Sequence, residues 1–404
     1  MGLGSRLSDF RLPCKTDSSI RFWVQRPVRA WVQPAGALAG GLVLGHNAGM
    51  SNPPDRYNEK PGEDGRQSTP ALKRASAAFS ELSPQLAISA VEEAWELRCD
   101  GSFFAYPSYV NRVYGLRDED ERDFVVKFYR PGRWSVEAIL EEHAFLQELA
   151  AAEVPVVCPL PDNGGNTLAS LVLESADSEV EIPYALFPKR PGRSFDADSL
   201  DDMRRLGALA GRIHAVGALR PARQRLRIQA GLAGSLAAEL LEPGLIPPEL
   251  FEQAADSLRA AAVFIDGELA AKAGSAIRLH GDFHRGNILD CGGSSLSAVD
   301  FDDMSQGPAV LDLWMLLPDR PERAAAERDA LLEGYEMFMS FDYRSFALAP
   351  ALQLLRIMHF WVWQSRQRHD SGFLGHFPGW GSRGFWQQET EYLACKLADL
   401  QQGR

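Results

Sequence analysis

With 404 residues, 45% of them apolar, 24% charged and 10% aromatic, the chain has the composition of a folded protein of two or three units, which excludes collagen-like, wholly disordered and disulfide-scaffold classes. The net charge of −12 is unevenly spread: residues 1–75 hold 11 Lys/Arg against 6 Asp/Glu, and the rest of the chain 31 against 48. Such an acidic body repels phosphate backbones, so no nucleic-acid partner is expected, and an anionic ligand must be held by a few local cations or arrive neutralised by a divalent metal.

Five scattered cysteines, never in a C-x-x-C pair, indicate neither a disulfide framework nor a zinc site and fit a reducing cytoplasm. The apolar run from Ala35 to Gly45 is too short for a membrane span, and no membrane partner is expected. Residues 1–75 are rich in Arg, Pro, Gly and Ser without periodicity and read as a disordered or loosely attached extension.

Order begins near Leu82-Ser83-Pro84, which opens a helical pattern through Ala87, Val91, Ala94 and Trp95. Strands are predicted at 103–106 and 109–114 around Pro107, and at 123–129, where Phe124, Val126 and Phe128 share one face and Lys127 lies on the other. A helix over 136–151 follows, with Glu141 and Glu142 on its polar side, and then strands at 167–173 and 180–187. Past Pro191-Gly192 the pattern turns helical: a strongly amphipathic helix over 200–216 that Asp198 could cap, then helices at 234–241, 248–272, 321–339, 349–366 and 385–401. Leu352 to Trp363 is almost solidly apolar, but Gln353, Arg356 and His359 interrupt it, which favours a core helix over a membrane span. The expected class is α+β and bilobal, with a small β-rich lobe at 76–190 and a larger helical lobe at 191–404.

The chemistry concentrates in His280-Gly281-Asp282-Phe283-His284-Arg285-Gly286-Asn287-Ile288-Leu289, a turn at Cys291 to Ser295, and Leu296-Ser297-Ala298-Val299-Asp300-Phe301. Phosphoryl transfer from a magnesium nucleotide needs an acid to take a hydroxyl proton, an amide oxygen, and a carboxylate beside them. Magnesium takes hard oxygen ligands and keeps waters, so one Asn, one Asp and the phosphates complete its shell. Asp282 is thus the expected base, with Asn287 and Asp300 as Mg2+ ligands and Asp300 counted also among the catalytic groups. A D-x-x-x-x-N alone could simply close a turn; the flanking His-Gly and the adjoining hairpin argue otherwise. His280 and His284 lack the Glu of H-E-x-x-H and stand beside glycines, so no metal is assigned to them.

This stretch resembles kinases of the aminoglycoside phosphotransferase type, relatives of the protein kinases in which H-G-D-x-x-x-x-N replaces H-R-D-x-x-x-x-N. Within that family the resemblance reaches a bacterial serine/threonine protein kinase over roughly residues 85–404, through Ser108 to Tyr114, Glu141 to His143, Arg278 to Leu289, Val299 to Asp303 and Gly307 to Leu317. The resemblance implies a bilobal kinase fold, ATP as substrate, Asp312 as a buttress of the catalytic loop, and Lys127 on the α- and β-phosphates. It further implies Glu142 as the ion-pair partner of Lys127, with Glu141 as runner-up, Ser108 near the phosphates, and Phe187-Pro188 as the hinge that holds adenine. One departure is plain: 100–108 has a single glycine and no G-x-G-x-x-G, so backbone amides and the Ser108 hydroxyl would have to cover the phosphates.

The expected activity is therefore ATP- and Mg-dependent transfer to a Ser/Thr hydroxyl of a protein, the kinase itself included, by a cytoplasmic monomer. The rival readings are a small-molecule kinase of aminoglycoside, choline or homoserine type, because a shared fold does not fix the acceptor, and a catalytically silent binding module.

Overall fold

The computed structural model describes residue 79 and residues 82–175, 178–293, 295–317 and 324–402. The extension assigned to 1–75 lies outside the described residues.

The first helix, α1 (Pro84–Trp95), starts where Ser83 accepts from the Leu86 amide and proline occupies the first helical position. Its buried Ala87, Ala90, Val91 and Trp95 pack on one face of a five-stranded antiparallel sheet, β1 (Cys99–Tyr106), β2 (Arg112–Asp118), β3 (Asp123–Phe128), β4 (Ala169–Ser175) and β5 (Ser178–Pro188), ordered β1-β2-β3-β5-β4. The alternation in β3 places Phe124, Val126 and Phe128 in this core, and Lys127 leaves by the opposite face. There α2 (Val136–Ala151), capped by Ser135, closes the sheet. The strand predicted at 109–114 begins only at Arg112, because Tyr109 to Asn111 form a bend in which the Asn111 amide donates to Ser108 Oγ at 3.3 Å.

The second lobe is built on α3 (Leu200–Gly217). Its cap is Ser199, not Asp198: Ser199 and Asp202 satisfy each other's amides in a reciprocal capping box. Around it stand α4 (Leu232–Leu240), α5 (Phe251–Lys272), α6 (Val310–Leu316), α7 (Ala324–Tyr335), α8 (Ala349–Gln367), α9 (Phe373–His376) and α10 (Arg383–Gln401). The α3 and α7 backbones touch: a Cβ on Gly207 would lie 1.8 Å from the Leu331 carbonyl, and one on Gly334 1.9 Å from that of Arg204. The helix predicted at 321–339 ends early, at Tyr335, where the chain turns, and the predicted start at 321–323 lies outside the described residues.

By length and composition the segment Tyr343–Gln367 could cross a membrane. In the fold α8 buries Leu352, Leu354, Leu355, Met358, Trp361 and Val362 in the core of the helical lobe. Two short sheets lie between these helices and the first lobe. One pairs β7 (Ala276–Leu279) with β10 (Ser305–Pro308), and the other orders β6 (Arg193–Ser194), β8 (Ile288–Asp290) and β9 (Leu296–Ala298). They frame the stretch from His280 to Phe301. The architecture is bilobal α+β, as the sequence predicts.

Candidate active site

The loop between β7 and β8 is shaped by what lies beneath it. Asp312, fully buried on α6, accepts from the backbone amides of His280 at 2.8 Å and Gly281 at 3.0 Å, and from His214 Nε2 at 3.0 Å. Its carboxylate pins the loop from below, and His214 is fixed in turn by the Tyr335 hydroxyl at 3.0 Å. Gly281 has φ +86°, and a Cβ there would lie 1.8 Å from the Asp303 carbonyl, so the loop can only turn here on glycine. His280 is completely buried, with Nε2 at 2.9 Å from the Val299 carbonyl and its ring against Phe283 and Phe301. It ties the loop to the strand that delivers Asp300.

Two hydrogen bonds bring the three oxygen-bearing residues together. Asn287 Nδ2 donates to the Asp282 carbonyl at 2.9 Å, which leaves the amide oxygen as the acceptor end, and the Val299 amide donates to the Asn287 carbonyl at 3.0 Å. The β8–β9 hairpin, with Ile288 opposite Ala298, sets that register. Asp300 follows in the left-handed region, φ 63° and ψ 66°, a conformation unusual outside glycine that Asp tolerates. It lies near enough to Asp282 for the two carboxylates to repel.

Lys127 reaches this group from the sheet. Its ammonium is buried, 3.0 Å from Asp300 Oδ1 and 3.0 Å from Asp302 Oδ1, and 5.1 Å from the centre of the Tyr129 ring. Burial would strip its proton, but Asp300 and Glu142 together hold its pKa above the ordinary lysine value. The protein atoms packed around Asp300 favour the neutral acid even though one side of its carboxylate stays open to solvent, and Lys127 more than reverses this, keeping the carboxyl below its usual range.

The expected Lys127–Glu142 ion pair is not formed. Glu142 is buried on α2 and receives Arg225 Nη2 at 2.6 Å instead. Arg225 is held at Glu142 by its surroundings: it is itself buried, stacks 4.4 Å above Trp134, and donates to the carbonyls of Ala138 and Asp302. Glu141, the runner-up, accepts from the Arg223 and Gln224 amides at 2.6 and 2.8 Å and is likewise committed elsewhere.

Asp302 takes the place at the lysine that the family resemblance implies for a glutamate. It is buried, pairs with Lys127 and Arg133, and accepts from Asn111 Nδ2 at 3.1 Å. Nothing in Asp300-Phe301-Asp302-Asp303 marks which carboxylate will turn inward. Ser108 caps the bend before β2, Phe187 pairs with Val125 and packs edge-on to His143, and Pro188 ends β5 where the first lobe passes to the second.

Asp282 has an arginine and a histidine beside it. Arg356, from α8, contacts Oδ1, and His284 Nε2 lies 3.3 Å from Oδ2. Burial alone would raise the Asp282 pKa; Arg356 and His284 overcome it and hold the carboxyl far below the usual range. Arg356 marks the sequence as a polar break in an apolar helix and as one of the positions that resemble the kinase family, but neither signal gives it a role at Asp282.

Among the described residues no group of three or more His, Cys, Asp or Glu could hold a metal by itself. The oxygens of Asn287 and of Asp300, whose side chain is 57% exposed, suit a hard divalent cation that brings phosphate ligands with it.

A cleft between a β-lobe and a helical lobe, with a lysine meeting a hairpin carboxylate beside an H-G-D-x-x-x-x-N loop, defines a kinase-type phosphotransferase. The model of the phosphotransferase enzyme family matches residues 106–349, and the chain belongs to that family. It is 38% identical over 322 residues to the stress response kinase A of Salmonella typhi, covering 77% of this chain and 92% of that one. It is 37% identical, with the same coverage, to the serine/threonine protein kinase RdoA of Salmonella typhimurium. Among solved structures, an amicoumacin kinase in complex with AMP-PNP, Ca2+ and Ami shares the fold, with a TM-score of 0.62 at 19% identity over 82% of this chain and 96% of that chain.

Proposed function

We propose that this phosphotransferase is a Mg-ATP-dependent serine/threonine protein kinase. The observation that carries the reading is the meeting of Lys127 from the sheet with Asp300 from the hairpin at 3.0 Å, beside Asn287 and Asp282. In this reading Lys127 turns from Asp300 to the α- and β-phosphates when nucleotide enters. Asn287 and Asp300 would hold a magnesium ion, which supplies neutralisation of the phosphate charge. Asp282 orients the acceptor hydroxyl: the bond from the γ-phosphorus to the ADP oxygen breaks, a bond to the acceptor oxygen forms, and the hydroxyl proton passes to Asp282. Ser108 covers the phosphates, Phe187 flanks the adenine, and Glu142 contributes through its charge on Lys127 without touching nucleotide.

Two observations support a protein acceptor. The relatives at 37–38% identity are named stress response kinase A and serine/threonine protein kinase RdoA. Arg356 already supplies a positive group at the Asp282 carboxylate, so an alcohol bearing an ammonium would meet like charge there. The second reading, a small-molecule kinase, is favoured by the fold shared with the amicoumacin kinase.

Purified full chain with Mg and labelled ATP separates the two. Label entering Ser or Thr of casein-like substrates or of the chain itself, and absent from an Asp282→Asn variant, is expected. Transfer only to soluble alcohols would replace the protein-kinase reading with the second, and no nucleotide binding would leave a silent module.

A further inference from the structure

The bend between β1 and β2 lacks the glycines that let a phosphate-covering loop wrap its ligand, yet it is held by several hydrogen bonds from outside. Arg130, two residues past β3, donates from Nε to the Val110 carbonyl at 2.9 Å and from Nη2 to the Tyr109 carbonyl at 2.5 Å. Its third contact leaves the lobe: Nη1 meets Asp370 Oδ2 at 2.5 Å, between α8 and α9 of the helical lobe. Tyr109 follows, its hydroxyl donating to the same oxygen at 2.8 Å. The Tyr109 ring sits in an aromatic socket of the helical lobe, with ring centres of Trp363, His376 and Phe377 at 5.7, 4.6 and 5.3 Å. At the other end of the bend, Asn111 accepts from the Arg130 amide at 3.2 Å and donates to Asp302, the carboxylate that also pairs with Lys127.

Arg130, Tyr109 and the Asp370 side chain are 6%, 8% and 10% exposed. Burying an ion pair across two lobes is costly unless the geometry is well satisfied, and here each charge is hydrogen-bonded. A contact of this kind does little for general cohesion that apolar residues would not do better; what it adds is a fixed position.

We propose that Asp370 is a positioning residue for nucleotide: with Arg130 and Tyr109 it latches the 107–111 turn to the helical lobe and holds Ser108 and its neighbouring amides over the phosphate end of the cleft. Rigid anchoring from outside the turn replaces the backbone freedom that glycines would give. The inference rests on the reading of this cleft as the Mg-ATP site.

The test uses the full chain, with Asp370→Asn, which keeps shape and removes charge, and Tyr109→Phe, which removes one hydroxyl and serves if the first variant does not fold. Losing a hydrogen bond to a charged group corresponds to a tenfold change or more. The KM for ATP and the dissociation rate of a fluorescent ATP analogue in the presence of Mg are expected to rise about tenfold, and kcat at saturating ATP to fall by much less. Amides 108–111 should exchange hydrogen faster in the variants without nucleotide. Unchanged KM and exchange, or a fall in kcat at constant KM, would overturn the latch alone. A wild-type chain that binds no Mg-ATP would overturn the reading of the cleft and this inference with it.

Discussion

The guanidinium of Arg356 contacts the carboxylate of Asp282 from a helix 74 residues further along the chain. A carboxylate in this position could take a proton from a hydroxyl only if it is ionised, and Arg356, together with His284, keeps it so against the effect of burial.

Replacing Arg356 by Gln removes that support and lets the Asp282 pKa rise towards and beyond the ordinary carboxylate value. Because the base must be deprotonated, the acid limb of the kcat/KM profile should move to higher pH. An acid limb at the same pH in variant and wild type would show that Arg356 does not tune Asp282.

Glu142 and Arg225 are buried against each other at 2.6 Å. Removing either partner strands the other charge, so Glu142→Ala and Arg225→Ala should each lower the unfolding free energy by about 3–5 kcal/mol. The double variant should lose clearly less than the sum. Chemical denaturation checks this; a raised KM for ATP with unchanged stability in Glu142→Gln would instead make Lys127 its principal partner.

Gly281→Ala forces a side chain into φ +86° and onto the Asp303 carbonyl. A cost of about 3 kcal/mol or more is expected, together with loss of transfer, because the displaced loop carries Asp282. Thermal melting and a transfer assay measure the two; a variant that melts and transfers like wild type would contradict the packing.

His143 lies buried between the Tyr129 hydroxyl at 3.0 Å and Thr167 Oγ1 at 2.8 Å, and burial pushes its pKa down from 6.5 to about 4. Between those values the unfolded chain takes up a proton that the folded chain refuses. The contribution to stability is thus whole above about pH 6.5 and is lost as pH falls to about 4, on the order of 3 kcal/mol in all. Denaturation at pH 7.5 and 4.5 should show a smaller drop for His143→Gln than for wild type; equal drops would argue that His143 titrates normally.

Much of this was legible along the chain because it depends on neighbours in sequence. The period-2 pattern of β3 sent Lys127 away from Phe124, Val126 and Phe128, and the D-x-x-x-x-N loop with its hairpin placed Asn287 beside Asp300 through local hydrogen bonds. By residue type Asp198 and Ser199 are equally able to cap α3, and the reciprocal bond with Asp202 decides for Ser199.

Which charge meets which was a different matter. Glu142 faces Arg225 and not Lys127, Asp302 turns inward where Asp303 does not, Arg356 reaches Asp282, and Asp370 reaches Arg130. Residue type and spacing determine that such carboxylates and cations exist, and on which strand or helix they ride. Their pairing is settled only when the lobes pack, because a buried charge takes whichever satisfied partner the packing brings within about 3 Å, at whatever distance along the chain it began.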